Sequence, residues 1–133
     1  RAEVLRQKRE SIAGRYNESF MALPVVTPPT APEHDIHAWH LYVLRLDLDQ
    51  LLINRNEFIE KMAAKGIGTS VHFIPLHLQP YWRDTYNLRP EDFPVATDVF
   101  DRVVSLPIYP AMTSAEVERV IDIVTAILTT HSR

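Results

Sequence analysis

Cysteine is absent from the sequence. Disulfides, thiolate nucleophiles and cysteine-ligated zinc are therefore excluded, and the composition fits a cytoplasmic protein. Glycine is scarce: Gly14, Gly66 and Gly68 are the only three, so no glycine-rich loop is available to cradle a phosphate. Long hydrophobic runs are missing too, and none approaches the roughly 20 residues of a membrane-spanning helix. An excess of charge is also lacking. A net charge of −3 gives no case for nucleic acid or an anionic membrane as partner. Basic residues gather near the start (Arg1, Arg6, Lys8, Arg9, Arg15), but they alternate with Glu3, Glu10 and Glu18, the pattern of a solvated helix face.

The 133 residues amount to one domain with a core of its own. The chain opens at Arg1 without an initiator Met and is already helical in pattern there. It reads as a piece of a longer protein.

Residues 1–23 read as a leading helix, with Leu5, Ile12, Tyr16 and Phe20 at roughly helical spacing. Residues 24–37 form a proline-rich connector, unsuited to a helix or a central strand. Residues 38–133 read as an α+β unit. Its first strand is 38–46, β-branched and aromatic and apolar on both faces, so that a covering layer is expected on each side. Asn54 caps a helix over 55–65 with Phe58, Ile59, Met62 and Ala63 inward, and Gly66 suits the position after it. A second strand is expected at 69–74. Residues 76–90 are irregular and rich in aromatics, with Tyr81, Trp82 and Tyr86 suggesting an interface. A helix at 91–102 and a strand at 103–108 follow. The last helix carries Thr113 and Glu116 at capping-box spacing, then a stripe of Val117, Val120, Ile121, Val124, Ile127 and Leu128. The fold class is α+β, a small sheet of about three strands packed with helices.

Chemistry is sparse. His37 and His40 are three apart on a predicted strand and so face opposite ways, with His40 read as a half-buried strand residue. His72 and His77 flank Pro75, and no metal-ligand spacing is met. His72, at a strand end beside a loop and on one face with Ser70, is the best candidate site residue. Neither Ser70 nor Ser105 sits in a nucleophile elbow. Lys8, Lys61 and Lys65 all fall on polar helix faces, so none suits a Schiff base.

Five segments in order carry a resemblance: Ala38 to Tyr42, Arg55 to Phe58, GIGTSVHFIPLHLQPYW from Gly66, Asp92 to Ala96, and SLPIYPAMT from Ser105 to Thr113. Together they resemble the C-terminal small domain of the DegT/DnrJ/StrS nucleotide-sugar aminotransferases. The resemblance implies an aspartate-aminotransferase-like enzyme of fold type I that uses pyridoxal phosphate (PLP). It implies transfer of an amino group from L-glutamate to a nucleotide-linked keto sugar, in polysaccharide, lipopolysaccharide or antibiotic-sugar biosynthesis. A large N-terminal domain would hold PLP and the Schiff-base lysine, and the enzyme would work as a homodimer. The chain alone would then hold no cofactor, no metal and no catalytic residue. His72, Phe73 and His77 match positions that face or shape the substrate cleft, Phe73 standing where a tyrosine is common. Trp39 and His40 match a packing motif. The alternatives are a non-catalytic binding or regulatory module, or a sensor or dehydratase member of the same family.

Overall fold

The computed structural model describes residues 1–32 and 34–133; position 33, within the proline-rich connector, lies outside the described residues. The last helix forms where the apolar stripe predicts it. It spans Ser114–Thr130 and buries all six stripe residues. Thr113 Oγ1 accepts from the Glu116 N–H at 3.2 Å, and Glu116 Oε2 accepts from the Thr113 N–H at 2.7 Å. The Thr113 N–H, with the Thr113 hydroxyl donating to the same Oε2 at 2.9 Å, holds the Glu116 carboxyl below the usual carboxylate range. A second capping box joins Asn54 and Glu57 at the head of the helix Arg55–Ala64. Gly66, at φ +76, takes the left-handed turn that ends it. Loss of the Thr113 hydroxyl is expected to be felt directly. Thr113→Ala should lower stability by about 1 kcal/mol, read as a shifted denaturant midpoint with unchanged slope. An unchanged midpoint would mean the helix end is held by packing alone.

In chain order the helices are α1 (Ala2–Phe20), α2 (Arg55–Ala64), α3 (Pro80–Tyr86), α4 (Pro94–Arg102) and α5 (Ser114–Thr130). The strands are β1 (Val25–Val26), β2 (Tyr42–Leu46) and β3 (Val103–Leu106), in one antiparallel sheet of order β1-β2-β3. Tyr42 lies opposite Leu106, and Val25 opposite Leu46.

The α+β class and a three-stranded sheet are as expected, but one strand differs. Residues 69–74 do not form a strand: only Ser70 bridges, to Ser105 on β3. Val71, Phe73 and Ile74 stay exposed, so no buried face holds the run against the sheet. The third strand comes instead from the connector. Val25 and Val26 pair as an edge strand, where the neighbouring prolines cost no ladder bonds. The first predicted strand is also shorter, beginning at Tyr42. Trp39 sits before it in a left-handed turn at φ 47, with its N–H donated to His37 Nδ1 at 2.9 Å. His40 therefore lies in a bend and is exposed rather than half-buried in a strand. Among the described residues only one face of β2 is fully covered: Tyr42, Leu44 and Leu46 are buried, whereas on the other face Val43 is half-buried and Arg45 exposed. In α2, Ala63 is exposed, and the inward face is completed by Arg55, whose Nη1 donates to the Val103 carbonyl at 3.4 Å.

A single core joins these layers. Tyr16 and Phe20 of α1 pack with Tyr42 of β2, and Tyr16 meets Tyr42 edge-on at 4.9 Å. Phe58 and Met62 of α2 and the stripe of α5 complete it.

Candidate functional site

The sheet's β3 edge is where the site is built. Ser105 exchanges two backbone bonds with Ser70: Ser105 N–H to the Ser70 carbonyl at 2.9 Å, and Ser70 N–H to the Ser105 carbonyl at 3.2 Å. Beyond that bridge the chain leaves the sheet, because Pro75 cannot donate to a ladder. The loop then winds into a 3-10 turn at Leu76–Leu78. Gln79 Nε2 donates back to the Ile74 carbonyl at 3.3 Å and closes the loop on itself.

Two open grooves share this loop. One, of about 380 Å³, is lined by Val71, His72, Phe73, Ile74 and Gln79. The other, of about 600 Å³, is lined by Phe73, Ile74, Leu76, Gln79, Pro80, Tyr81 and Trp82. The structure thus brings His72 and Phe73 onto one wall. His72 is half-buried, and its Nε2 lies 2.8 Å from Ser105 Oγ. Phe73 is 97% exposed.

His77 lines neither groove. It is 5% exposed, stacks on Phe93 at 4.8 Å, and places Nε2 2.9 Å from Thr97 Oγ1. The Thr97 hydroxyl has its one proton directed at the carbonyls of Phe93 and Pro90, at 3.1 and 3.2 Å. His77 Nε2 must then carry the hydrogen and donate to Thr97, which assigns its tautomer.

Beyond the loop, α3 carries an aromatic row. Trp82 stacks on Tyr86 at 5.5 Å and meets Tyr81 edge-on at 5.5 Å, and all three rings are exposed. The helix packs chiefly on the 3-10 turn and ends at Asn87 in the left-handed region that asparagine tolerates. On the same helix Arg83 pairs with Asp84 at 2.7 Å and holds that carboxyl below its usual range.

Chemically, the grooves offer hydrogen bonds and apolar surface. Among the described residues their only titratable side chains are His72 and Tyr81, so they hold no carboxylate pair. Ser105, the hydroxyl beside His72, is 2% exposed and lines neither groove, so it presents no nucleophile. The three lysines lie elsewhere, Lys8 on α1, Lys61 and Lys65 at the end of α2, and none is buried. Neither groove therefore offers the shielded amine and phosphate cradle that anchor PLP. Ser105 and Thr97, which hold the two histidines, were not singled out as partners from the sequence. One signal was available for the first: Ser105 is the sole polar residue in the strand Val103–Leu106.

Comparison with known proteins bears on this geometry. The chain is 50% identical over 127 residues to an uncharacterized protein of Methanocaldococcus jannaschii, covering 96% of this chain and 32% of that one. It is 40% identical over 125 residues to the spore coat polysaccharide biosynthesis protein SpsC of Bacillus subtilis, covering 93% and 32%. Spr1654 of Streptococcus pneumoniae, described as a sugar aminotransferase and solved in a PLP form, superposes with a TM-score of 0.84. That match is 25% identical over 95% of this chain and 32% of the other. The chain thus spans about a third of the length of the relatives it matches. Its fold is that of the small α+β domain of fold type I PLP aminotransferases. The sequence profile of the DegT/DnrJ/EryC1/StrS aminotransferase family matches residues 1–125, and the chain belongs to that family.

Proposed function

We propose that this chain is the substrate-facing small domain of a PLP-dependent aminotransferase that moves an amino group from L-glutamate to a nucleotide-linked keto sugar. The observation that carries the reading is the family match across residues 1–125 of a chain about a third as long as its relatives. A larger domain on the N-terminal side would hold PLP and its lysine, and two subunits would share the active sites. The cofactor, when bound there, supplies the electron sink for the transfer. The present residues bind and orient substrate. His72 offers a hydrogen bond to a phosphate or hydroxyl of the sugar nucleotide. Phe73 offers an apolar face without the hydroxyl a tyrosine would add. His77, spent on Thr97 and Phe93, braces the far end of the loop. The chain by itself is inactive in this reading.

The test is the visible absorption of the full-length protein with PLP, before and after L-glutamate. A cofactor band that disappears on adding glutamate supports the reading. A protein that binds no PLP, or whose band ignores glutamate, overturns it in favour of a binding module or a sensor or dehydratase member of the family.

A further inference from the structure

β3 is buried along its whole length, and Ser105 is its one polar side chain, 2% exposed. A buried hydroxyl without a partner is costly. Among the described residues Ser105 Oγ has one partner, His72 Nε2 at 2.8 Å. The same residue grips the backbone two positions earlier, through its N–H and C=O to Ser70. A single residue therefore fixes both the loop's departure from the sheet and the imidazole that follows. The other ring nitrogen, Nδ1, makes no hydrogen bond among the described residues, and the ring borders the groove of about 380 Å³.

We propose that Ser105 is a positioning residue that holds His72 toward a nucleotide-sugar ligand. The proposal rests on the reading that His72 meets substrate. A hydroxyl suits the task because it can both donate and accept. When Ser105 donates to Nε2, the neutral ring carries its proton on Nδ1 and presents a donor to a phosphate oxygen. When the ring is an imidazolium, Nε2–H donates to Ser105 and Nδ1–H still faces the groove. When Ser105 accepts from the neutral ring, Nδ1 is an acceptor for a sugar hydroxyl. The anchor survives all three states, which an aliphatic residue at this position cannot offer.

The experiment uses the full-length protein, with UDP-glucose and dTDP-glucose as separate non-reacting probes in calorimetry. The variants are Ser105→Ala, Ser105→Thr, His72→Gln and the Ser105→Ala/His72→Gln pair. Ser105→Ala is expected to weaken whichever probe binds by about three- to tenfold, the worth of one hydrogen bond. Ser105→Thr should restore affinity, and the pair should bind no more weakly than His72→Gln alone. Weakening by His72→Gln with none by Ser105→Ala overturns the proposal while leaving the role of His72 intact. No weakening by His72→Gln overturns the substrate reading itself. That result overturns the proposal with it; if neither probe binds, side-chain nitrogen spectra of His72 decide the positioning. A ring signal that changes from wild type to Ser105→Ala and returns in Ser105→Thr supports it. An unchanged signal overturns it.

Discussion

Above the ordinary tyrosine value of 10.0, the protein is expected to lose stability by about 2.7 kcal/mol for each further pH unit. The cause is a pair of phenols in the core. Tyr16 and Tyr42 are both 0% exposed and lie against each other. Burial pushes both well above their ordinary value; the Arg15 charge offsets part of the rise at Tyr16, whereas Tyr16 adds to the rise at Tyr42. Both hydroxyls are spent as donors, Tyr16 to the Pro107 carbonyl at 2.9 Å and Tyr42 to Asn17 Oδ1 at 2.7 Å. A phenolate can do neither. The unfolded chain gives up both protons near the ordinary value, whereas the folded chain keeps them. Stability is thus fully present below that value and falls as pH rises, until the raised folded values are passed. Each ring contributes about 1.4 kcal/mol per pH unit over that window. Tyr42→Phe should halve the alkaline slope while costing about 1 kcal/mol at neutral pH for the lost hydrogen bond. Denaturant midpoints followed from neutral to strongly alkaline pH make the check. A wild-type curve that stays flat, or a Tyr42→Phe curve parallel to it, would refute the account.

That core was largely legible in the sequence because helical spacing is redundant. In α5 six apolar residues repeat one face, and Thr113 and Glu116 mark its start independently. Tyr16 and Phe20 belong to the same kind of repeat in α1. The misreadings arose where apolar character serves a surface. Thr69 to Ile74 has the composition of a strand, yet Val71, Phe73 and Ile74 are exposed at the grooves and satisfy no sheet neighbour. Strand propensity reports a fit to a half-buried surface and does not say whose surface covers it. The reverse error concealed β1: two valines beside Pro24 show no alternation, and only the pairing with Leu46 and Arg45 makes them a strand. Histidine partners were less accessible still. Ser105 lies 33 residues from His72 and Thr97 lies 20 from His77, separations that no local pattern encodes.

The second of these pairs predicts how the site loop is held. His77 is the only buried residue of the 3-10 turn, and α3 packs chiefly on that turn. No side chain of α3 is buried, and the turn it packs on is itself tied to α4 and the segment before it by the imidazole set against Thr97 and Phe93. His77→Ala removes the donor to Thr97, the stacked ring and the volume beneath the turn. The Thr97 hydroxyl keeps its carbonyl partners, so no buried donor is orphaned. The loss is expected to be about 2–3 kcal/mol, felt locally rather than by the whole chain. Amide exchange at Leu78 and Gln79, whose N–H groups bond the Pro75 and Leu76 carbonyls at 2.9 and 3.1 Å, should rise by about 30- to 150-fold. Amides of α5 and β2 should be unchanged. His77→Gln, which can still donate to Thr97, should recover part of the protection. Protection lost equally from α5 would mean His77 supports the whole core. Unchanged exchange at Leu78 and Gln79 would mean that the Gln79 clasp, and not His77, closes the loop. If the latch does hold, the cost appears where the chemistry is expected: His72 and Phe73 sit on the same loop, between the Ser105 anchor and the His77 wedge. Loosening the wedge frees one end of the wall that meets the ligand.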